Sequence, residues 1–178
     1  MMKELSLHIL DIAQNSISAG CTELELSLTE GDGQLTLVIG DNGRGMTPEF
    51  LSSVTDPFTT TRTTRKVGLG LPLLRMAAEQ TGGSLAIESA VGAGTTVTAR
   101  FCSGHIDCPP LGDMAGTVAL LVQGAPEVNT VYTHATPRGS FTFDTREIRA
   151  VLGEDISLAE PEVAMWMRSY LEELEQSV

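Results

Sequence analysis

Three polar side chains recur about one turn apart near the start of the chain: His8, Asp11 and Asn15. On a helix this spacing puts all three on one face, opposite an apolar stripe of Leu5, Ile9 and Ile12. A carboxylate one turn from a carboxamide can align a water or a hydroxyl while the amide oxygen holds a hard cation. The solvated face of an ordinary amphipathic helix has the same pattern. Further on, Asp41-Asn-Gly-Arg-Gly45 follows an alternating apolar segment. A carboxylate at a strand end accepts from an exocyclic amine, and glycines at 43 and 45 let the backbone approach a flat ligand. A plain tight turn uses the same residues. Gly68-Leu-Gly70-Leu then opens a helical pattern just after Arg62, Arg65 and Lys66, with hydroxyls supplied by Thr59-Thr-Thr61. Free N–H groups and a positive dipole end beside three cations suit a phosphate. Cys102-Ser-Gly-His105-Ile-Asp107-Cys108 gathers four metal-binding side chains, yet its spacing matches no zinc pattern, and Cys102 also reads as the end of a buried strand.

Helices and strands must position these groups. Residues 3–19 have a 3.6-residue period through Leu5, Ile9, Ile12 and Ser16, and Gly20 supplies a helix stop. Thr22 to Leu28 and Gln34 to Ile39 alternate around Glu30-Gly-Asp-Gly33, which predicts a hairpin. Thr47-Pro48 starts a short helix, residues 56–67 read as a mobile loop, and a second long helix runs from about Leu69 to Thr81 before Gly82-Gly83. Leu85 to Glu88 and Thr95 to Phe101 form a second hairpin through Gly92-Ala-Gly94. The order predicts an α+β fold, a sheet with helices on one face. Composition changes near Asp107-Cys-Pro-Pro110, so residues 1–104 are expected to form one domain and 105–178 a small extension. In the extension, Asp113 caps a helix to Gly124, and Val128–His134 and Ser140–Thr145 form a hairpin around Pro137-Arg-Gly139. Thr145 caps a short helix to Leu152, and Ser157–Glu175 is a final amphipathic helix. Val163, Trp166, Met167, Tyr170, Leu171 and Leu174 are expected on one side of it, as core or a partner surface; His134 has no special role.

The chain of 178 residues carries 11 Lys and Arg against 23 Asp and Glu, a formal charge of −12. This argues against nucleic acid and anionic membranes as partners. The longest uncharged apolar run, Met114 to Val122, is too short to span a bilayer, and the first residues are unlike a signal peptide. Three cysteines without a Cys-x-x-Cys suit reduced thiols, so a cytoplasmic location is expected. Five of the basic residues lie between positions 44 and 75, where the only acids are Glu49 and Asp56. A basic, Gly- and Thr-rich segment in an acidic chain suggests a small anionic ligand.

Taken in order, these segments resemble the histidine kinase-like ATPase family, the ATP-binding fold shared by sensor kinases, gyrase and MutL. His8-Ile-Leu-Asp11-Ile-Ala-Gln-Asn15 looks like its N box, and Asp41-Asn-Gly-Arg-Gly-Met46 like its first glycine box. Asp56-Pro-Phe-Thr-Thr-Thr-Arg62 resembles the F box and lid, Gly68-Leu-Gly-Leu71 the second glycine box, and Gly92-Ala-Gly-Thr-Thr96 the last strand-joining motif. The resemblance implies a two-layer α/β sandwich that binds ATP and Mg²⁺. It makes Asn15 the metal ligand and Asp41 the acceptor for the adenine amine, with support from Thr95 or Thr96. Asn15, Asp41, Gly43, Gly45, Met46, Thr59, Arg62, Lys66, Gly68, Leu69, Gly70, Leu71 and Thr95 form the implied cofactor set, and Asp11 falls where hydrolysing and Ser/Thr-phosphorylating members carry a catalytic carboxylate. Lys66 stands where sensor kinases usually have the first lid glycine, and no phosphoacceptor histidine box is present. The expected function is therefore a kinase acting in trans on a partner protein in bacterial signalling. An ATPase switch or a non-catalytic ATP-dependent adaptor is the alternative, and a homodimer stays open.

Overall fold

The computed structural model describes residues 3–54 and 69–178. The predicted lid residues Thr59, Arg62, Lys66 and Gly68, and the loop over 56–67, lie outside the described residues. Helix α1 (Leu5–Ser18) leads into strands β1 (Glu23–Gly31) and β2 (Gln34–Asp41), then α2 (Pro48–Val54) and α3 (Gly70–Gln80). Strands β3 (Ser84–Ala90) and β4 (Gly94–Cys102) follow, then α4 (Met114–Gly124), β5 (Asn129–Thr136), β6 (Gly139–Asp144), α5 (Thr145–Leu152) and α6 (Pro161–Gln176).

The six strands form one mixed sheet in the order β3-β4-β2-β1-β5-β6. All neighbours are antiparallel except β1 and β5, which run parallel with Leu26 opposite Tyr132. Asp32 and Gly33 both have positive φ, 53° and 74°, the geometry of a two-residue hairpin whose twist matches its strands. Alternation decides which side each residue faces. Leu24, Leu26, Leu28, Leu37, Ile39, Val97, Phe101, Tyr132 and Phe143 are buried under the helices, whereas Glu25 and Thr29 on β1 and Thr142 on β6 are exposed. Helices α4 and α6 pack on each other, α4 on α1, and α1 on α3, so one hydrophobic core runs from Leu5 to Val178. The first two amides of α1, which no turn of its own helix can satisfy, donate to the Pro110 and Leu111 carbonyls at 3.0 and 2.9 Å.

Helix ends and burial depart from expectation in five places. The short helix α5 is capped by Asp144, whose Oδ1 accepts from the Arg146 amide at 2.9 Å. Thr145 is fully buried instead and accepts the Thr130 amide at 2.9 Å. The last helix begins at Pro161, because Ser157 closes a separate turn with Glu160. On that helix Ala164, Met167 and Leu171 reach the core while Trp166 and Tyr170 stay exposed. His134 is buried, with Nε2 2.8 Å from Glu30 and Nδ1 2.8 Å from Glu175, and so ties β5 to β1 and α6. Finally, His8 leaves the polar face expected of it: it is buried, and its Nδ1 has no hydrogen-bond partner among the described residues.

Candidate nucleotide-binding site

Asp41 ends β2 with its side chain on the helical face. Its Oδ2 accepts from Ser16 Oγ at 2.6 Å, and its Oδ1 accepts from the Gly43 amide at 2.8 Å. These two bonds fix the carboxylate, and each oxygen keeps a lone pair for a ligand donor. Ser16 was missed as a site residue; its signal was a polar side chain in a buried stripe. Thr95 is the cross-strand partner of Asp41, whereas Thr96 pairs with Gly40 and therefore points to the opposite face of the sheet. Of the two threonines it is Thr95 that stands beside the carboxylate.

The glycine loop is clamped from both sides. Gly43 lies against Ala19 at the end of α1, and the Arg44 amide donates to the Ala19 carbonyl at 3.1 Å. Gly45 has φ +70°, and a Cβ there would fall 1.9 Å from the Ala90 carbonyl oxygen. The Met46 amide donates to Ser89 Oγ at 2.9 Å, and Ser89 in turn lies 2.8 Å from Thr95 Oγ1. Ser89 joins loop and strand with no signal in the sequence beyond strand alternation. Met46 is half-buried against the core.

On the other side of α1, the carboxylate of Asp11 meets the start of α3. A Cβ on Gly70 would sit 2.2 Å from Asp11 Oδ2, so the carboxylate can stand where it does only against a glycine, and a larger residue would push it aside. Among the described residues no side chain caps α3, and Pro72 in its first turn has no N–H, which leaves the Gly70 and Leu71 amides as its leading donors. Leu69 is 59 % exposed at this end, whereas Leu71 is buried. Asn15, one turn beyond Asp11, is half-buried. Burial holds the His8 imidazole below its ordinary pKa, against the pull of Asp11, so a neutral ring backs the carboxylate.

The described residues thus bring Asp11, Asn15, Asp41, Gly43, Gly45, Met46, Gly70 and Thr95 around the C-terminal half of α1. A further concavity of about 440 Å³, which Asp41 and Asn42 also line, opens on the far face of the sheet between Glu23, Glu25, Thr96 and Arg146. Its carboxylates, and an arginine already paired with Asp144, make it unsuited to a polyphosphate. Around Cys102 and Cys108 no group of three or more metal-binding side chains comes together among the described residues. His105 Nδ1 accepts the Asp107 amide instead, and burial pushes the Cys108 thiol up.

A sequence model of the family described as histidine kinase-, DNA gyrase B- and HSP90-like ATPases matches residues 2–104, and the chain belongs to this family. Histidine protein kinase DivJ of Caulobacter vibrioides is 42 % identical over 74 residues, covering 39 % of this chain and 12 % of that protein. Sensor protein SrrB of Staphylococcus aureus is 33 % identical over 100 residues, 53 % of this chain and 17 % of that protein. The chain thus matches only a small part of either relative. Among solved structures, the N-terminal domain of a DNA repair protein superposes with a TM-score of 0.58 at 14 % identity, covering 80 % of this chain and 52 % of that one. This likeness supports the fold. No helix among the described residues is long and apolar enough to cross a membrane.

Proposed function

We propose that residues 1–104 bind ATP with Mg²⁺ and transfer its γ-phosphoryl group to a hydroxyl of a partner protein in bacterial signalling, with residues 105–178 serving partner contact. The observation that carries this reading is the Asp11 carboxylate held against Gly70 at the start of α3, which no described side chain caps. A helix N-terminus receives phosphate, so a carboxylate beside it stands where a reacting hydroxyl would arrive. Asp11 takes the hydroxyl proton, the new O–P bond forms as the bond to the bridging oxygen breaks, and ADP leaves. Asp41, fixed by Ser16 and Gly43, accepts the adenine amine. The half-buried Asn15 carboxamide offers the hard oxygen that Mg²⁺ prefers, and that ion, when bound, offsets triphosphate charge.

Incubation with γ-labelled ATP, alone and with the proteins encoded beside it, tests the reading. Label on a partner hydroxyl supports transfer. Release of free phosphate alone makes the protein an ATPase switch, and the lack of both label transfer and phosphate release makes it an adaptor; either result overturns the kinase.

A further inference from the structure

The extension carries a surface that the nucleotide site does not use. On α6, Trp166 and Tyr170 stack with ring centroids 5.4 Å apart and planes within 9°, and Tyr170 also leans on Phe143 at 6.3 Å. Trp166 nevertheless stays 48 % exposed, and Met165 beside it 72 %. Helical spacing sets Glu162 one turn before Trp166 and Glu173 one turn after Tyr170, so carboxylates close both ends of the aromatic stripe. Both are exposed and neither forms an ion pair with a described residue.

The wider extension has the same sign. Between Asp144 and Glu175 there are nine acids and three arginines. Each arginine is already engaged: Arg146 by Asp144, Arg149 by Asn129 and two carbonyls, Arg168 by Asp113 and Glu172. The surface is therefore an ordered aromatic anchor in a field that stays net acidic, since nine carboxylates face three arginines. We propose that this stripe docks a basic amphipathic helix of a partner protein, with apolar residues on Trp166 and Met165 and Lys or Arg heads at Glu162 and Glu173. The two carboxylates are 11 residues apart on one helix, about 16 Å, a span that three turns of a partner helix cover. The exposed ring faces also accept a cation directly. A second copy of this chain fits poorly, because a two-fold contact would set acidic stripe against acidic stripe.

Trp166 is the only tryptophan, so its emission reports the site alone. The test titrates the whole chain with a Lys/Leu amphipathic peptide of about 18 residues, roughly five turns. A scrambled peptide of equal composition and a Glu/Leu peptide serve as controls. The Lys/Leu peptide should shift Trp166 emission and bind at least about tenfold more tightly than the scrambled one, about 1.4 kcal/mol. By anisotropy of labelled peptide, Trp166→Ala with Tyr170→Ala should weaken binding by a similar factor. Glu162→Lys with Glu173→Lys, two exposed changes that leave the aromatic pair intact, should transfer preference to the Glu/Leu peptide. ATP affinity should be unchanged in both variants, which separates this site from the nucleotide reading. Equal binding of scrambled and amphipathic peptides, or no change on charge reversal, overturns the proposal. So does sedimentation showing a dimer that the aromatic variant dissolves, since the occupant would then be a second copy.

Discussion

At the residue scale, the Asp11–Gly70 contact makes two substitutions informative together. Asp11→Asn keeps the shape but removes the proton acceptor, so ATP affinity should stay within a few-fold while turnover falls by roughly 10²–10⁴. Gly70→Ala places a methyl where Asp11 Oδ2 now lies, at a helical position where alanine is otherwise the better residue. It should displace the carboxylate, lowering turnover without lowering the melting temperature. A calorimetric scan beside single-turnover kinetics checks both, and intact turnover in either variant would leave Asp11 as a helix-end charge only. The two buried histidines make a second pair with opposite signs. For His134, burial pushes the pKa down, but the bonds from Glu175 and Glu30 outweigh it and hold it above the ordinary value. Its stabilisation is therefore fully present below the unfolded-state pKa and is lost as pH rises through the folded one. His8 is depressed by burial, so the stability tied to its neutral ring is present above the unfolded-state pKa and is lost as pH falls. Urea unfolding from about pH 5.5 to about pH 8.5, the range in which histidines titrate, should show stability rising with pH in His134→Gln and falling with pH in His8→Leu. Parallel curves for the two variants would refute the assignment.

At the scale of elements, the glycine turns rank by the space around them. Gly92 has φ +78° with nothing near its missing Cβ, so Gly92→Ala should cost about 1–2 kcal/mol, the left-handed penalty alone. Gly94 combines φ +91° with the Asp41 carbonyl oxygen 2.0 Å from a Cβ, and Gly45 combines φ +70° with Ala90. Gly94→Ala and Gly45→Ala should each cost more than Gly92→Ala in denaturant unfolding and should also weaken ATP binding, because strand β4 and the loop would have to separate. The elements themselves were legible because apolar residues recur at periods of 3.6 and 2, and because turn glycines and Thr47-Pro48 mark the ends. The loop motif and Asp41 were legible for the same local reason. What escaped was long-range. His134 meets partners 104 and 41 residues away, and no local pattern encodes the parallel pairing of β5 on β1. Burial of Thr145 passed the cap back to Asp144, a choice made by packing against Thr130 rather than by capping preference. Ser16 and Ser89 are site residues only because the strands they bond arrive from elsewhere in the chain.

At the scale of the whole molecule, hydrogen bonds run without a break from the glycine loop into the extension. Asn42, next to Asp41, accepts the Thr22 and Glu23 amides at 2.8 and 2.9 Å. Asn129 donates its own amide to the Thr22 carbonyl and its carboxamide to Glu23 at 2.7 Å. Arg149 of α5 then holds Asn129 Oδ1 at 2.5 Å and the carbonyls of Pro126 and Val128. Since β5 extends the same sheet and α4 covers α1, the composition change near position 107 does not divide the core. The two parts should therefore unfold as one. Trp166 reports the extension, and the buried thiol of Cys21 reports the family domain once Cys102 and Cys108 are serines. Trp166 emission and pulse labelling of Cys21 should give coincident urea transitions, the signature of a single cooperative unit. Arg149→Ala leaves the Asn129 oxygen and two half-buried carbonyls unpaired, at a cost of about 1–3 kcal/mol. If the coupling is real, this substitution in the extension moves the Cys21 midpoint as far as the Trp166 midpoint. A shift confined to Trp166, or two separate transitions in the parent chain, would make residues 105–178 a folding unit of their own. The hydrogen-bond path to Asp41 would then carry no cooperativity.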